Sequence, residues 1–190
     1  VQQYNQAFDI KKQNSYMSLW DGFTVQFNSS VKTLRINAPT LPPPINVNTC
    51  TSLTANGTWA ATTSASNLAV DNINYVANGG SLSFDLAAAG STGYLENSTM
   101  TAVDLSADVN QGTFFLYTYL PTGSDFTNVI LRFGSDSSNY YSVTATTNQQ
   151  GNAFINGWNL LQFNWLGASQ TGTPVTTAID YIRVTWTYNG

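Results

Sequence analysis

Residues 112–133 read GTFFLYTYLPTGSDFTNVILRF and decide the class of the fold. They contain two apolar runs, 112–120 and 128–133, that are rich in the aromatic and β-branched residues typical of strands. Between the runs, Pro121 and Gly123 interrupt regular structure and indicate a turn. No window of the chain keeps apolar residues at helical spacing for long, so the sequence predicts an all-β protein.

The same alternation of short strands and turns continues from about residue 49 to the C-terminus. Predicted strands cover 81–86, 112–120, 128–133, 140–145, 158–163 and 179–186, with Gly-, Ser-, Asn- and Pro-rich turns between them. This spacing is typical of an antiparallel, jelly-roll-like β-sandwich. Every second side chain of a strand lies on one face, which predicts the core positions. They are Leu82, Phe84, Leu86, Val129, Leu131, Phe133, Ile182, Val184 and Trp186.

The strand at 114–120 is apolar on both faces. One face carries Phe114, Leu116 and Leu120, and the other carries Phe115, Tyr117 and Tyr119. We therefore expect this strand to be central in its sheet, with its second face covered or functional.

The proline-rich stretch PTLPPP, residues 39–44, separates the sandwich from an earlier segment. We predict three parts: residues 1–38 as an N-terminal β segment, a partial domain or assembly arm; 39–48 as a linker; and 49–190 as the sandwich. In the first part, strands 16–20 and 23–27 flank Asp21-Gly22 as a β-hairpin, and 31–36 suits a third strand.

The N-terminal segment has more apolar residues than three strands can bury among themselves. They are Phe8, Ile10, Tyr16, Leu19, Trp20, Phe23, Val25 and Phe27. The segment therefore needs to pack on a neighbouring chain or a further domain, or to fold back on the sandwich of its own chain. Self-association or assembly with other subunits is the partner that we expect.

Charge is sparse and unevenly distributed. Charged residues make up 8% of the chain, and residues 50–190 contain eight carboxylates, two arginines and no lysine, a net charge of −6. Nucleic acid is not expected as a partner, because phosphate binding needs clustered Lys or Arg. No apolar run approaches the length that spans a bilayer, so membrane insertion is not expected. Cys50 is the only cysteine, so no intrachain disulfide can form.

Catalysis is not expected from the residues present. The chain has no histidine, which removes the usual nucleophilic systems and zinc sites. The only glutamate, Glu96, lies in a loop-like stretch, and a glycosidase would have to pair it with Asp85 or Asp104. Surface or turn roles for these carboxylates are favoured, and we interpret the chain as a non-enzyme.

Six segments occur in an order that resembles jelly-roll modules of the carbohydrate-binding and laminin-G (concanavalin-like) type, including copies embedded in phage and bacterial surface proteins. They are Gly79–Asp85, Val103–Ser106, Gly134–Tyr140, Gly157–Phe163, Thr171–Pro174 and Ile179–Ile182. The resemblance covers residues 50–190. It implies the sandwich architecture and a location outside the cell, on a cell surface or on a virion.

The resemblance also implies a metal position. In carbohydrate-binding jelly rolls an aspartate that opens the last strand often ligates a structural calcium ion, and Asp180 occupies that place. Any metal must be held by oxygen ligands, which suits Ca²⁺, and Asp71 is a second candidate. The alternative is that Asp180 accepts turn hydrogen bonds at the start of a strand. We expect no cofactor other than such a calcium ion.

Sugar binding would use exposed aromatic rings, because their apolar faces match the C–H face of a pyranose. Tyr117, Tyr119, Tyr140 and Trp165 are the candidates. Tyr117 and Tyr119 lie two residues apart and so project from one face of the sheet. The alternative for each ring is core or cross-strand packing.

The sequence favours a non-catalytic structural or adhesive module, such as part of a fibre, in a larger extracellular, surface or virion assembly. Strands without lysine support this, because exposed sheet edges are usually guarded by Lys, Pro or bulges. The alternative is a carbohydrate-binding module that recognises a cell-surface or polymeric glycan.

Overall fold

The computed structural model describes residues 24–28, 33–37, 45–76, 79–87 and 89–190. The chain divides into two compact units, Val1–Ile45 and Asn46–Gly190. This division falls inside the stretch predicted as a linker; independent folding of the second unit stays a prediction.

The described residues form an all-β protein with antiparallel sheets, as the sequence predicted. The strands are β1 (Thr24–Asn28), β2 (Thr33–Asn37), β3 (Trp59–Thr63), β4 (Ala65–Asp71), β5 (Ser81–Leu86), β6 (Ser91–Asn97), β7 (Thr113–Leu120), β8 (Phe126–Asp136), β9 (Asn139–Ala145), β10 (Gly157–Asn164), β11 (Ser169–Thr171) and β12 (Tyr181–Tyr188). Single 3-10 turns follow residues 105, 122 and 164. No helix among the described residues is long and apolar enough to cross a membrane.

The described residues of the first unit form one antiparallel ladder. β1 pairs with β2, from Thr24 opposite Asn37 to Asn28 opposite Thr33. The predicted partner of this first strand, residues 16–20, and the Asp21-Gly22 turn lie outside the described residues. Of the apolar residues expected to need a partner, Val25 and Phe27 belong to β1, and the others lie outside the described residues.

The described residues of the second unit form a six-stranded sheet and two separate two-stranded ladders. The large sheet has the order β11-β9-β8-β12-β6-β3, and the ladders are β4-β5 and β7-β10. The C-terminal strand β12 lies in the centre of the large sheet, where it pairs with β6 and β8. Its neighbours come from distant parts of the sequence, so this sheet depends on long-range pairing.

Both ladders pack on one face of the six-stranded sheet, which gives the unit the two layers of a β-sandwich. The Phe114 ring of β7 lies 4.3 Å from the Phe133 ring of β8, centroid to centroid. The Phe84 ring of β5 lies 4.7 Å from Trp186 of β12. The core therefore lies between the layers.

Strand alternation predicted the core correctly. Six of the predicted positions, Val129, Leu131, Phe133, Ile182, Val184 and Trp186, are buried, and the other three, Leu82, Phe84 and Leu86, are partly buried against the same cluster. Regular alternation holds because every one of these residues lies within a paired strand.

The prediction of a central β7 is wrong. Among the described residues, β7 pairs with β10 alone, from Thr113 opposite Asn164 to Leu120 opposite Gly157. The apolar residues on both faces of β7 therefore do not indicate that both faces are buried. One face is core, and the other is open to solvent.

Candidate functional site

The outward face of β7 presents three half-exposed aromatic side chains. Phe115, Tyr117 and Tyr119 are 57%, 50% and 50% exposed. They alternate with Phe114, Leu116, Thr118 and Leu120, which point into the sandwich. Since a strand places alternate residues on one face, the three rings form a row, which we call the aromatic stripe.

β10 widens this face by a second row. Gln162, Leu160 and Trp158 lie opposite Phe115, Tyr117 and Tyr119 respectively. The rings of Tyr119 and Trp158 meet edge to face, with centroids 5.5 Å apart. The surface is therefore apolar and aromatic over two strands.

Amide and hydroxyl groups lie at one end of the stripe. Asn164 Oδ1 accepts hydrogen bonds from Thr113 Oγ1 at 3.0 Å and from Gln162 Nε2 at 2.9 Å. No charged residue lies on β7 or β10. The face can therefore make stacking, apolar and neutral hydrogen-bond contacts.

The structure places Tyr117 and Tyr119 together, as their spacing predicted, but it places Tyr140 elsewhere. Tyr140 belongs to β9, where Tyr141 and Val143 pack on the core. Tyr140 therefore lies on the opposite, outer face of the six-stranded sheet. Its ring cannot contribute to the same binding surface as the stripe.

Trp165 cannot bind a sugar, and its prediction as an exposed ring is wrong. Its side chain is 1% exposed. Its ring contacts those of Phe133 and Tyr141, with centroid distances of 4.8 and 5.1 Å. A buried ring presents no face to a ligand. Trp165 is part of the core at the end of β10.

Asp71 is the last residue of β4, and its carboxylate accepts hydrogen bonds from the turn that follows. Its Oδ1 accepts hydrogen bonds from the backbone N–H groups of Ile73 at 2.7 Å and Asn74 at 2.9 Å. The Asn74 side chain donates to Oδ2 at 3.0 Å. The hydrogen bonds from Asn74 and Ile73 hold the pKa of the Asp71 carboxyl below its usual value. These contacts describe an Asx turn.

Asp180 immediately precedes β12, and its backbone N–H donates to Gly134 O at 3.0 Å. One carboxylate oxygen, Oδ1, is buried without a hydrogen-bond partner. Nowhere in the described part of the chain do three His, Cys, Asp or Glu side chains gather around one point. The role of Asp180 as a calcium ligand therefore stays a prediction.

Glu96 lies in strand β6, so its assignment to a loop is wrong. β6 is paired on both sides, with β3 and β12. Glu96 Oε2 forms an ion pair with Arg183, accepting from Arg183 Nε at 2.7 Å, and accepts from Tyr181 Oη at 3.0 Å. Asp85 and Asp104 have other partners, since they accept from Asn67 Nδ2 and from the Ser106 backbone.

A second polar feature lies on the outer face of the six-stranded sheet, and sequence reasoning did not identify it. Arg132 of β8 lies directly opposite Arg183 of β12. The Arg183 guanidinium lies 4.1 Å from the centroid of the Tyr94 ring, and that of Arg132 lies 4.7 Å from that of Tyr140. We call this feature the arginine–tyrosine cluster. It comprises Tyr94, Glu96, Arg132, Tyr140, Tyr181 and Arg183.

Tyr181 is the buried centre of this cluster. It is 1% exposed. Burial raises the pKa of its hydroxyl, and the hydrogen bond to Glu96 acts in the same direction, while Arg183 and Arg132 oppose the shift. The signal in the sequence was alternation: Arg132 and Arg183 each lie between two core residues, so both had to face outward.

Comparison with known proteins does not assign this chain to a family. No model of a protein family matches the sequence, and no curated protein shows significant similarity to it.

Proposed function

We propose that this chain is a non-catalytic structural or adhesive module of a larger extracellular, cell-surface or virion assembly. The aromatic stripe is the observation that carries the proposal. Exposed apolar residues are common singly, but three consecutive outward positions of one strand make a continuous patch, and such patches mark interaction sites. Its contact partner is another subunit of the assembly.

The edges of the β7-β10 ladder support the same proposal. Each of its strands has one edge that pairs with no other strand in the described residues. β7 contains no lysine and no proline, the residues that usually prevent addition of a further strand. A neighbouring chain can therefore gain both apolar contacts and backbone hydrogen bonds at this face.

We further propose that the sandwich is a jelly roll of the carbohydrate-binding or laminin-G kind. The central position of the C-terminal strand β12, between β8 and β6, supports this topology. The second candidate function is accordingly glycan binding at the aromatic stripe. The two tyrosine hydroxyls and the amide of Gln162 favour it, because sugars need hydrogen-bond partners beside an apolar ring.

The test compares the full chain with the variant Phe115→Thr/Tyr117→Thr/Tyr119→Thr, which keeps β propensity and removes the rings. Sedimentation velocity measures self-association, and a glycan array measures sugar binding. The matched control is Ile73→Thr/Leu166→Thr, which removes two exposed apolar side chains outside the stripe.

We expect the wild type and the control to self-associate in a concentration-dependent way and the stripe variant to be monomeric. Glycan binding by a monomeric wild type, lost in the stripe variant, would replace the structural role with the second candidate. A wild type that is monomeric and binds no glycan contradicts both functions.

A further inference from the structure

We propose that the arginine–tyrosine cluster binds a glycan that carries a carboxylate, with Arg132 as the residue that contacts the acid group. The cluster lies on the face of the sandwich opposite the aromatic stripe. The proposal therefore does not depend on what the stripe binds.

The placement of the two arginines is the first observation. Arg132 and Arg183 are the only basic residues among residues 46–190, which also contain eight carboxylates. They lie directly opposite one another on β8 and β12. Like charges in this position repel each other, so the arrangement does not stabilise the sheet by itself.

The two arginines differ in their partners. Arg183 is neutralised by Glu96, which it contacts through two of its nitrogens. Arg132 forms no ion pair among the described residues, and its Nε is buried without a hydrogen-bond partner. An arginine with free donors binds a carboxylate through two parallel hydrogen bonds. Arg132 is therefore the arginine that has no carboxylate partner among the described residues.

The surroundings of Arg132 fit a sugar. Its guanidinium lies over the ring of Tyr140, a partly exposed residue. Ser142 lies opposite Arg132 on β9, and Thr144 follows two residues later on the same face. A cation and neighbouring hydroxyl groups match the acid group and the hydroxyls of a hexuronic acid.

The charge of the unit argues against more highly charged ligands. Residues 50–190 carry a net charge of −6, which repels polyphosphates and nucleic acids at long range. One unpaired arginine can neutralise one acid group. A carboxylate on an otherwise neutral, hydroxyl-rich molecule is therefore the class of ligand that fits.

Isothermal titration calorimetry on the full chain tests the proposal with galacturonate and its methyl ester as probes. The two probes have the same sugar ring and differ in the charge of the acid group. We expect the wild type to bind the acid about tenfold or more tightly than the ester, because the ester cannot form charge-assisted hydrogen bonds. Added salt should weaken binding of the acid and not of the ester.

Arg132→Gln should remove the difference between acid and ester. Asn128→Asp is the matched control, because it changes the net charge by the same amount on the same strand and face, and it should keep the difference. If Arg132→Gln does not fold, Arg132→Lys keeps the charge without the two-pronged geometry and should reduce the preference.

Equal affinities of the wild type for acid and ester, no binding of either, or an unchanged preference in the Arg132 variants would overturn the proposal.

Discussion

Trp186 Nε1 donates a hydrogen bond of 3.1 Å to Thr118 Oγ1, and this buried contact joins β12 of the six-stranded sheet to β7 of the facing layer. Thr118 is the one polar residue among the four inward positions of β7. It lies between Tyr117 and Tyr119 in the sequence, so it fixes the strand that carries the aromatic stripe. The core and the candidate binding face are thus two sides of one strand.

Thr118→Val should destabilise the chain by about 1 to 3 kcal/mol, because it leaves the buried indole N–H without an acceptor while nearly preserving volume. Urea unfolding measures the change. Thr113→Val on the same strand is the control, since its hydrogen bond to Asn164 is exposed, and it should change stability by less than about 0.5 kcal/mol. Equal losses in the two variants would show that the inter-layer bond is not the cause.

Glu96→Gln should lower the free energy of unfolding by about 1 to 3 kcal/mol, because it leaves Arg183 without its counter-charge at a largely buried position. Binding at the aromatic stripe should be unchanged, and neither protein should hydrolyse glycosides. Asp85→Asn, at an exposed carboxylate, is the control and should be nearly neutral. Glycoside turnover by the wild type that Glu96→Gln abolishes would contradict the non-catalytic proposal.

Cys50 should be unreactive at neutral pH. Burial raises the pKa of its thiol from 9.0 to about 11, because the thiolate is poorly solvated. The rate of iodoacetamide alkylation in the folded chain should therefore rise with a midpoint near pH 11, and in urea near pH 9.

The raised pKa of Cys50 also makes the stability of the folded chain depend on pH. The folded state holds the Cys50 proton more tightly than the unfolded state, so this group's contribution is complete below about pH 9 and falls as the pH rises towards 11. Cys50→Ala should remove that part of the alkaline loss. Alkylation with the same midpoint in both states would contradict burial of the thiol.

Residues 46–190 should fold without the N-terminal segment, because this unit contains the whole described core. A chain that starts at Asn46 should give a single cooperative transition by circular dichroism, at the midpoint of the corresponding transition of the full chain. An insoluble product, or one without a transition, would move the boundary away from the proline-rich stretch.

Alternation within single strands accounts for what could be predicted. It identified the inward faces of β8 and β12 and the outward row on β7, because the side-chain period of a strand does not depend on tertiary contacts. Alternation is also consistent with the buried position of Trp165. This residue lies two positions after Phe163 and four after Leu161, so it falls on the same inward face. The 3-10 turn that begins at Trp165 keeps this ring inward and leaves Leu166 exposed.

Pairing between distant strands accounts for what could not be predicted. The local pattern predicts a loop at Glu96, because its strand is recognisable only when β3 and β12 pair with it. The neighbouring positions of Arg132 and Arg183 depend on the register of strands about fifty residues apart, which local pattern does not contain. The arginine–tyrosine cluster therefore emerged only from the three-dimensional arrangement.

Hydrogen–deuterium exchange of the full chain, at low and at high protein concentration, tests the assembly role of the aromatic stripe most directly. Assembly through the stripe predicts that amides in peptides from β7 and β10 gain protection as concentration rises, while those from β9, on the opposite layer, do not. Unchanged exchange in β7, or protection confined to β9, would contradict the proposal that this face joins the subunits.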